Sequence, residues 1–197
     1  ASVLPLDATK PGRILVVGEN ALKMMTVGGG SSSLKVQKEI IPLDGIRAAA
    51  GELQVDFERG YVGDVSGAYN GVVTGQDLSE SRSAEKLIAD ACAKAKDADA
   101  VIFIGGLNKA RFQDCEDSDR FGLELPYNQD AVIEALAQVN PNLAVVIISG
   151  NAVAMPWVDK VNAIVEAWYC GSQAGTALAD VLFGKVNPSG KLPMTFP

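Results

Sequence analysis

Histidine is absent from the 197 residues, and no other absence excludes as much. The commonest general base and the commonest metal ligand are both missing. Acid–base chemistry therefore falls to carboxylates, lysine, tyrosine or cysteine, and neither a metal site nor a cofactor is expected. Cysteine is scarce: Cys92, Cys115 and Cys170 are widely spaced, odd in number and form no CxxC, so unpaired thiols are expected. No apolar run approaches ~20 residues, so no membrane span is expected. Positive charge is in deficit, 17 Lys and Arg against 24 Asp and Glu, for a formal net charge of −7. Such a surface disfavours nucleic acid and anionic membrane as partners, whereas a neutral ligand such as a sugar fits it. Neither a Walker nor a GxGxxG spacing is present, so the glycines build no recognisable phosphate cradle. Ser149 lies outside any GxSxG elbow and has no histidine to activate it, which excludes a serine hydrolase. No signal peptide opens the chain. That decides little, because the linker-like start at residues 1–7 and the extended finish at 192–197 lead us to expect a segment of a larger protein.

What is there reads as one globular α/β domain, with 48% apolar and 21% charged residues. Strand patterns, apolar runs at 13–18, 100–104, 143–149 and 162–168 and a period-two alternation at 53–57, are interleaved with helical patterns at 42–50, 83–95, 128–139 and 172–183. Near-continuous apolar strands separated by helices imply a three-layer sandwich. Its sheet should be mainly parallel and roughly six-stranded, flavodoxin- or Rossmann-like, with helices on both faces. In such sheets the ligand sits beyond the carboxyl ends of the strands. The polar, glycine-rich stretch 59–76 reads as a long surface loop.

Four unusual segments fall at those strand ends. Gln113-Asp114-Cys115-Glu116-Asp117-Ser118-Asp119-Arg120 concentrates four carboxylates in six residues. Three readings are open: a solvated acidic loop, a calcium loop that lacks the required glycine at its sixth position, and a carboxylate tuned as a proton donor by crowded like charges and a nearby arginine. Val27-Gly28-Gly29-Gly30-Ser31-Ser32-Ser33 is either a flexible loop or one whose backbone approaches a ligand or another domain closely. Residues 149–157 and 167–175 carry Trp157, Trp168 and Tyr169. Aromatic residues at strand ends either belong to the core or stack on sugar rings.

Together these segments resemble the C-terminal domain of family 3 glycoside hydrolases of the β-glucosidase type. The matching pieces are the 14–20 strand and turn, GGGSS at 28–32, the E-x-x-D-R core at 116–120 followed by Leu125-Pro126, Ser149-Gly150 with Met155-Pro156-Trp157, and Ala167-Trp168-Tyr169. The closing run DVLFGKVNPSGKLPMTFP completes the match, which covers nearly the whole of 1–197 in order. The resemblance implies an upstream (β/α)8 barrel with an aspartate nucleophile, lying outside this chain. It implies Glu116 as the general acid/base, Asp119 and Arg120 in support, and Gly28, Gly29, Gly30, Ser31 and Ser32 at the substrate or the domain interface. Many relatives have glycine after the glutamate, where this chain has Asp117.

The implied function is retaining, exo-acting hydrolysis of terminal β-D-glucosyl residues from β-glucosides and gluco-oligosaccharides, in a periplasmic or secreted parent protein. The expected partners are the carbohydrate substrate and the barrel, and the isolated chain should be inactive. A β-xylosidase is the neighbouring specificity. A non-catalytic carbohydrate-binding or structural module would not need Glu116 beside Asp119 and Arg120. A nucleotide-binding domain would need the missing phosphate fingerprint.

Overall fold

The computed structural model describes residues 2–26, 34, 36–63, 65, 68–69, 72–116 and 118–197, and of residues 68, 69 and 72 only the backbone. In chain order the elements are β1 (Gly12–Val17), α1 (Pro42–Ala49), β2 (Leu53–Glu58), β3 (Ala68–Tyr69), β4 (Val72–Val73), α2 (Ala84–Ala95), β5 (Ala100–Gly106), α3 (Gln129–Val139), β6 (Leu143–Ile148), β7 (Ala163–Glu166) and α4 (Ala174–Leu182). Single 3-10 turns occupy Glu19–Ala21, Val158–Lys160 and Gly171–Gln173.

The main sheet has five strands in the order β2-β1-β5-β6-β7, and every pairing in it is parallel. With the small β3–β4 ladder set aside, this is the doubly wound flavodoxin order. The expectation of roughly six strands is thus corrected to five among the described residues: each apolar run forms one strand, and none forms a sixth. The stretch 59–76 is not all loop, since β3 and β4 pair antiparallel within it. Two-residue strands are too short to show a period-two pattern, so the sequence carried no sign of them.

Alternation explains the layers. In the three central strands Leu15, Val17, Val101, Phe103, Leu143, Val145 and Ile147 face the core under α2 and α3. Ile14, Val16, Ile102, Ile104, Ala144, Val146 and Ile148 face the core under α1 and α4. Both sets are buried, so these strands are apolar on both faces, as parallel strands between helical layers must be. Ser83 caps α2 by accepting a hydrogen bond from the Lys86 amide (3.3 Å), as Ser residues at helix starts commonly do. Gly184, just past α4, is left-handed with φ 71°.

On the second face α1 and α4 touch backbone to backbone. A Cβ on Gly45 would lie 2.0 Å from the Gly175 carbonyl oxygen. Helix propensity alone favours alanine over glycine inside α1 by up to ~1 kcal/mol, whereas the clash forces the helices apart at a cost of ~1–3 kcal/mol. Gly45→Ala should therefore lower the urea midpoint of unfolding despite the better helix former. A raised midpoint would mean that the helices do not approach as described.

Candidate active site

Because the central strands are parallel, their carboxyl ends open on one rim, and the polar residues that the core rejects collect there. Beyond β1, Glu19 is fully buried and paired on both sides. Its Oε1 is 2.8 Å from the Lys23 Nζ, and its Oε2 accepts from Arg59 Nη2 (2.7 Å), Arg59 Nε (3.2 Å) and the Gly63 amide (2.7 Å). Arg59 also donates to the Ser79 carbonyl (3.2 Å). One carboxylate thus fastens the exits of β1 and β2 and the start of the 59–76 stretch. Gln76 fastens its end, accepting from the Met24 amide and donating to the Leu22 carbonyl, both at 2.7 Å. Asn20 reaches across to the Leu107 carbonyl (3.0 Å), joining the exit of β1 to that of β5.

Strand β5 ends in Gly105-Gly106. At Gly106 φ is +116°, and a Cβ would meet the Ile148 carbonyl at 2.2 Å, so only glycine lets the chain leave the sheet here. The buried Gln129 side chain then replaces a missing strand neighbour: its Oε1 accepts from the Gly106 amide and its Nε2 donates to the Gly106 carbonyl, both at 2.8 Å. The next segment is folded on its own side chains. Asn108 receives Ala110 N–H on its Oδ1 (2.7 Å), Gln113 Oε1 receives Asn108 N–H (3.0 Å), and Gln113 Nε2 donates to the Tyr127 hydroxyl (2.6 Å).

Asp114 follows. Its Oδ2 accepts from the Gly150 amide (2.6 Å) and the Tyr169 hydroxyl (2.9 Å), and its Oδ1 from Asn151 Nδ2 (3.1 Å). A bridge between Cys115 and Ser118 closes a tight turn, and Glu116 is exposed on that turn. Arg111 Nε braces it through the Ser118 hydroxyl (3.2 Å). Asp119 is exposed and Arg120 partly buried. Arg120 Nη2 donates to the Ala152 carbonyl (2.6 Å), while its Nη1 is buried without a hydrogen-bond partner among the described residues. Asp119, Arg120, Asp114, Lys109, Asn151 and Tyr169 line an open cleft of about 660 Å³, which Cys115 and Ser118, the closing residues of the Glu116 turn, also line. Lys109 Nζ lies 5.0 Å from the centre of the Tyr169 ring, within cation–π range. Burial holds the Lys109 ammonium below its usual pKa.

The structure thus brings Glu116, Asp119 and Arg120 to one rim. Gly28, Gly29, Gly30, Ser31, Ser32 and Asp117 lie outside the described residues. The two tryptophans differ: Trp157 is buried core, its Nε1 donating to Asp130 (2.7 Å). Trp168 is only half-buried, edge-on to Phe196 at 6.3 Å. The three cysteines are free thiols, and among the described residues no cluster of His, Cys, Asp or Glu could hold a metal ion.

Sequence reasoning overlooked Glu166, the last residue of β7. Burial, and to a lesser degree the charge of Asp114, push its carboxyl up to about 7, against the pull of hydrogen bonds from the Trp168 amide and Ser149. Trp168 makes that bond (3.0 Å) by adopting a left-handed backbone, φ 51°, which is strained for a tryptophan. An acidic residue closing an apolar strand run was the available signal.

The fold and rim define a doubly wound α/β domain whose carboxylate-rich cleft lies at the strand ends. The comparisons then fix the family. Residues 1–197 match the Glycosyl hydrolase family 3 C-terminal domain throughout, and the chain belongs to that family. It is 51% identical over 196 residues to Beta-glucosidase BoGH3A of Bacteroides ovatus, a match covering 100% of this chain and 25% of that protein. It is 35% identical, with TM-score 0.75, to the crystal structure of a GH3 beta-glucosidase of Bifidobacterium adolescentis, covering 96% of this chain and 25% of that one. The fold alone is shared with a beta-glucosidase of Kluyveromyces marxianus in complex with glucose, at TM-score 0.86 and 20% identity, over 99% of this chain and 39% of that one. The chain therefore spans about a quarter of the length of its curated relative.

The raised pKa of Glu166 sets a pH dependence. Below the unfolded value, near 4.5, both states hold the proton and the group leaves stability unchanged. As pH rises towards about 7 the unfolded chain ionises first, so stability is lost across that interval and then levels off. Glu166→Gln removes the penalty. It should leave stability unchanged at pH 4 and raise it by ~1 kcal/mol at pH 8, allowing for solvent screening of a half-exposed group. Equal effects of the substitution on urea midpoints at the two pH values would show that Glu166 titrates normally.

Proposed function

We propose that this domain supplies the general acid/base, Glu116, of a retaining, exo-acting β-glucosidase whose aspartate nucleophile sits on a (β/α)8 barrel elsewhere in the parent protein. The observation that carries the reading is the place of Glu116: exposed, on a braced turn beyond β5, beside the 660 Å³ cleft at the strand ends. Exposure suits a carboxyl that must meet a partner from another domain. The two carboxyls of a retaining enzyme stand about 5–5.5 Å apart across the scissile bond. The beta-glucosidase names of the relatives support the substrate class, and the share of them that this chain spans leaves ample length for a second domain.

In this mechanism the nucleophile attacks the anomeric carbon while the protonated Glu116 gives its proton to the departing glycosidic oxygen. The Glu116 carboxylate then takes a proton from water, whose oxygen displaces the nucleophile and releases the sugar with retained configuration. The cleft beside Glu116 is lined by the Asp119 carboxylate, the Arg120 guanidinium and the Lys109 ammonium, charged groups that suit sugar hydroxyls.

Two outcomes are expected. The isolated 1–197 chain should show no turnover of 4-nitrophenyl β-glucoside, because half of the carboxylate pair is absent; enzyme-dependent turnover would contradict the two-domain reading. In the full-length parent, Glu116→Ala should lower kcat/KM on cellobiose by ~10²–10⁴-fold, the usual contribution of a positioned acid. Dinitrophenyl glucoside, whose leaving group needs no proton, should lose far less in the glycosylation step. Equal losses on the two substrates, or none on cellobiose, would remove Glu116 from the role.

A further inference from the structure

We propose that Asp114 is the positioning residue of this site: its carboxylate fixes the Glu116 turn against the sheet by gathering the exits of three adjacent strands. The proposal rests on Glu116 being the acid/base. Asp114 and Glu116 are separated by one residue, a span of at most ~7 Å along the chain. The turn itself is closed by the Cys115–Ser118 bridge and braced by the Arg111–Ser118 bond. Asp114 joins it to the exits of three strands. Its amide donates to the Asn108 carbonyl (3.0 Å), holding it to the exit of β5. Its carboxylate takes Gly150 and Asn151 from the exit of β6 and Tyr169 from the exit of β7.

All three carboxylate bonds run from donors to one acceptor group, a pattern that a neutral side chain reproduces only in part. Asparagine has the right shape. It can keep its oxygen on Gly150 and Tyr169, but its amide then faces the amide of Asn151, which must turn over to accept. Alanine keeps none of the three, leaving their donors to water and the turn without its carboxylate tie to β6 and β7. A displacement of ~1 Å in a reacting group costs on the order of 100-fold in rate, so a clamp adjacent in sequence to the acid/base acts on catalysis through geometry alone.

The test uses the full-length parent and two substrates that differ in their need for an acid. Asp114→Ala should lower kcat/KM, which reports the glycosylation step, by ~10–100-fold on cellobiose and by much less on dinitrophenyl glucoside. Asp114→Asn should fall between the alanine variant and the wild type, and Tyr169→Phe, which removes one donor, should show a smaller loss with the same substrate dependence. A residue that merely supports folding would reduce the yield or melting temperature and scale both substrates down alike. If Asp114→Ala does not fold, Asp114→Asn and Tyr169→Phe carry the same comparison. Losses equal on both substrates, or absent, overturn the proposal. Glu116→Ala is measured in parallel. If it shows the leaving-group dependence and the Asp114 and Tyr169 variants do not, only the positioning role fails. If Glu116→Ala itself lacks it, the acid/base assignment fails first.

Discussion

Three strands with no polar face set the terms for everything else in this domain. Residues 14–17, 101–104 and 143–147 are buried on both sides, so β1, β5 and β6 exclude every charge from the middle of the molecule. Parallel pairing then delivers all their carboxyl ends to one rim. The rim must hold the polar groups that the strands exclude, and it must tie together loops that share no sheet hydrogen bonds. Carboxylates and an amide do this: buried Glu19 joins the exits of β1 and β2, buried Asn20 joins β1 to β5, and partly exposed Asp114 joins β5 to β6 and β7. The two carboxylates accept several bonds at once, and hydrogen bonding is what makes a polar group tolerable away from water.

The Glu19 group differs in kind from the Asp114 group. Lys23 and Arg59 put two cations on one fully buried carboxylate. Desolvating such a trio costs about as much as the attraction returns, and its value lies in fixing which segments meet. Asp114 sits at the edge of an open cleft and organises a surface that can meet another molecule. The domain thus has a dry ionic lock under one side of the rim and a wet carboxylate clamp on the other, and the candidate acid stands on the wet side.

The sheet was legible in the sequence because its central strands are apolar runs and β2 alternates with period two, and helices followed from 3.6-residue stripes at 83–95 and 128–139 with Ser83 and Gly184 as end signals. The β3–β4 ladder was not legible, because two residues per strand leave no period to read. At the site, the acidic loop at 113–120 stood out by charge density, but density did not separate Asp114, which faces inward to three donors, from Glu116, which faces out. Glu19 and Glu166 were missed altogether, since each is a single carboxylate at the end of an apolar run. What distinguishes them is what they touch: Lys23 and Arg59 in one case, Ser149 and the Trp168 amide in the other. Arg59 and Ser149 come from segments 40 and 17 residues away, and only folding brings them to these carboxylates.

The account stands or falls on Glu116 acting as both acid and base. The most direct measurement is the product formed by the full-length Glu116→Ala enzyme from dinitrophenyl glucoside in the presence of azide, with anomeric configuration assigned by NMR. Without a base, water should attack the glycosyl-enzyme slowly, while azide, an anion that needs no deprotonation, should attack it directly. The account predicts faster turnover in azide and accumulation of β-glucosyl azide. Free glucose at an unchanged rate, or an α-azide, would contradict it.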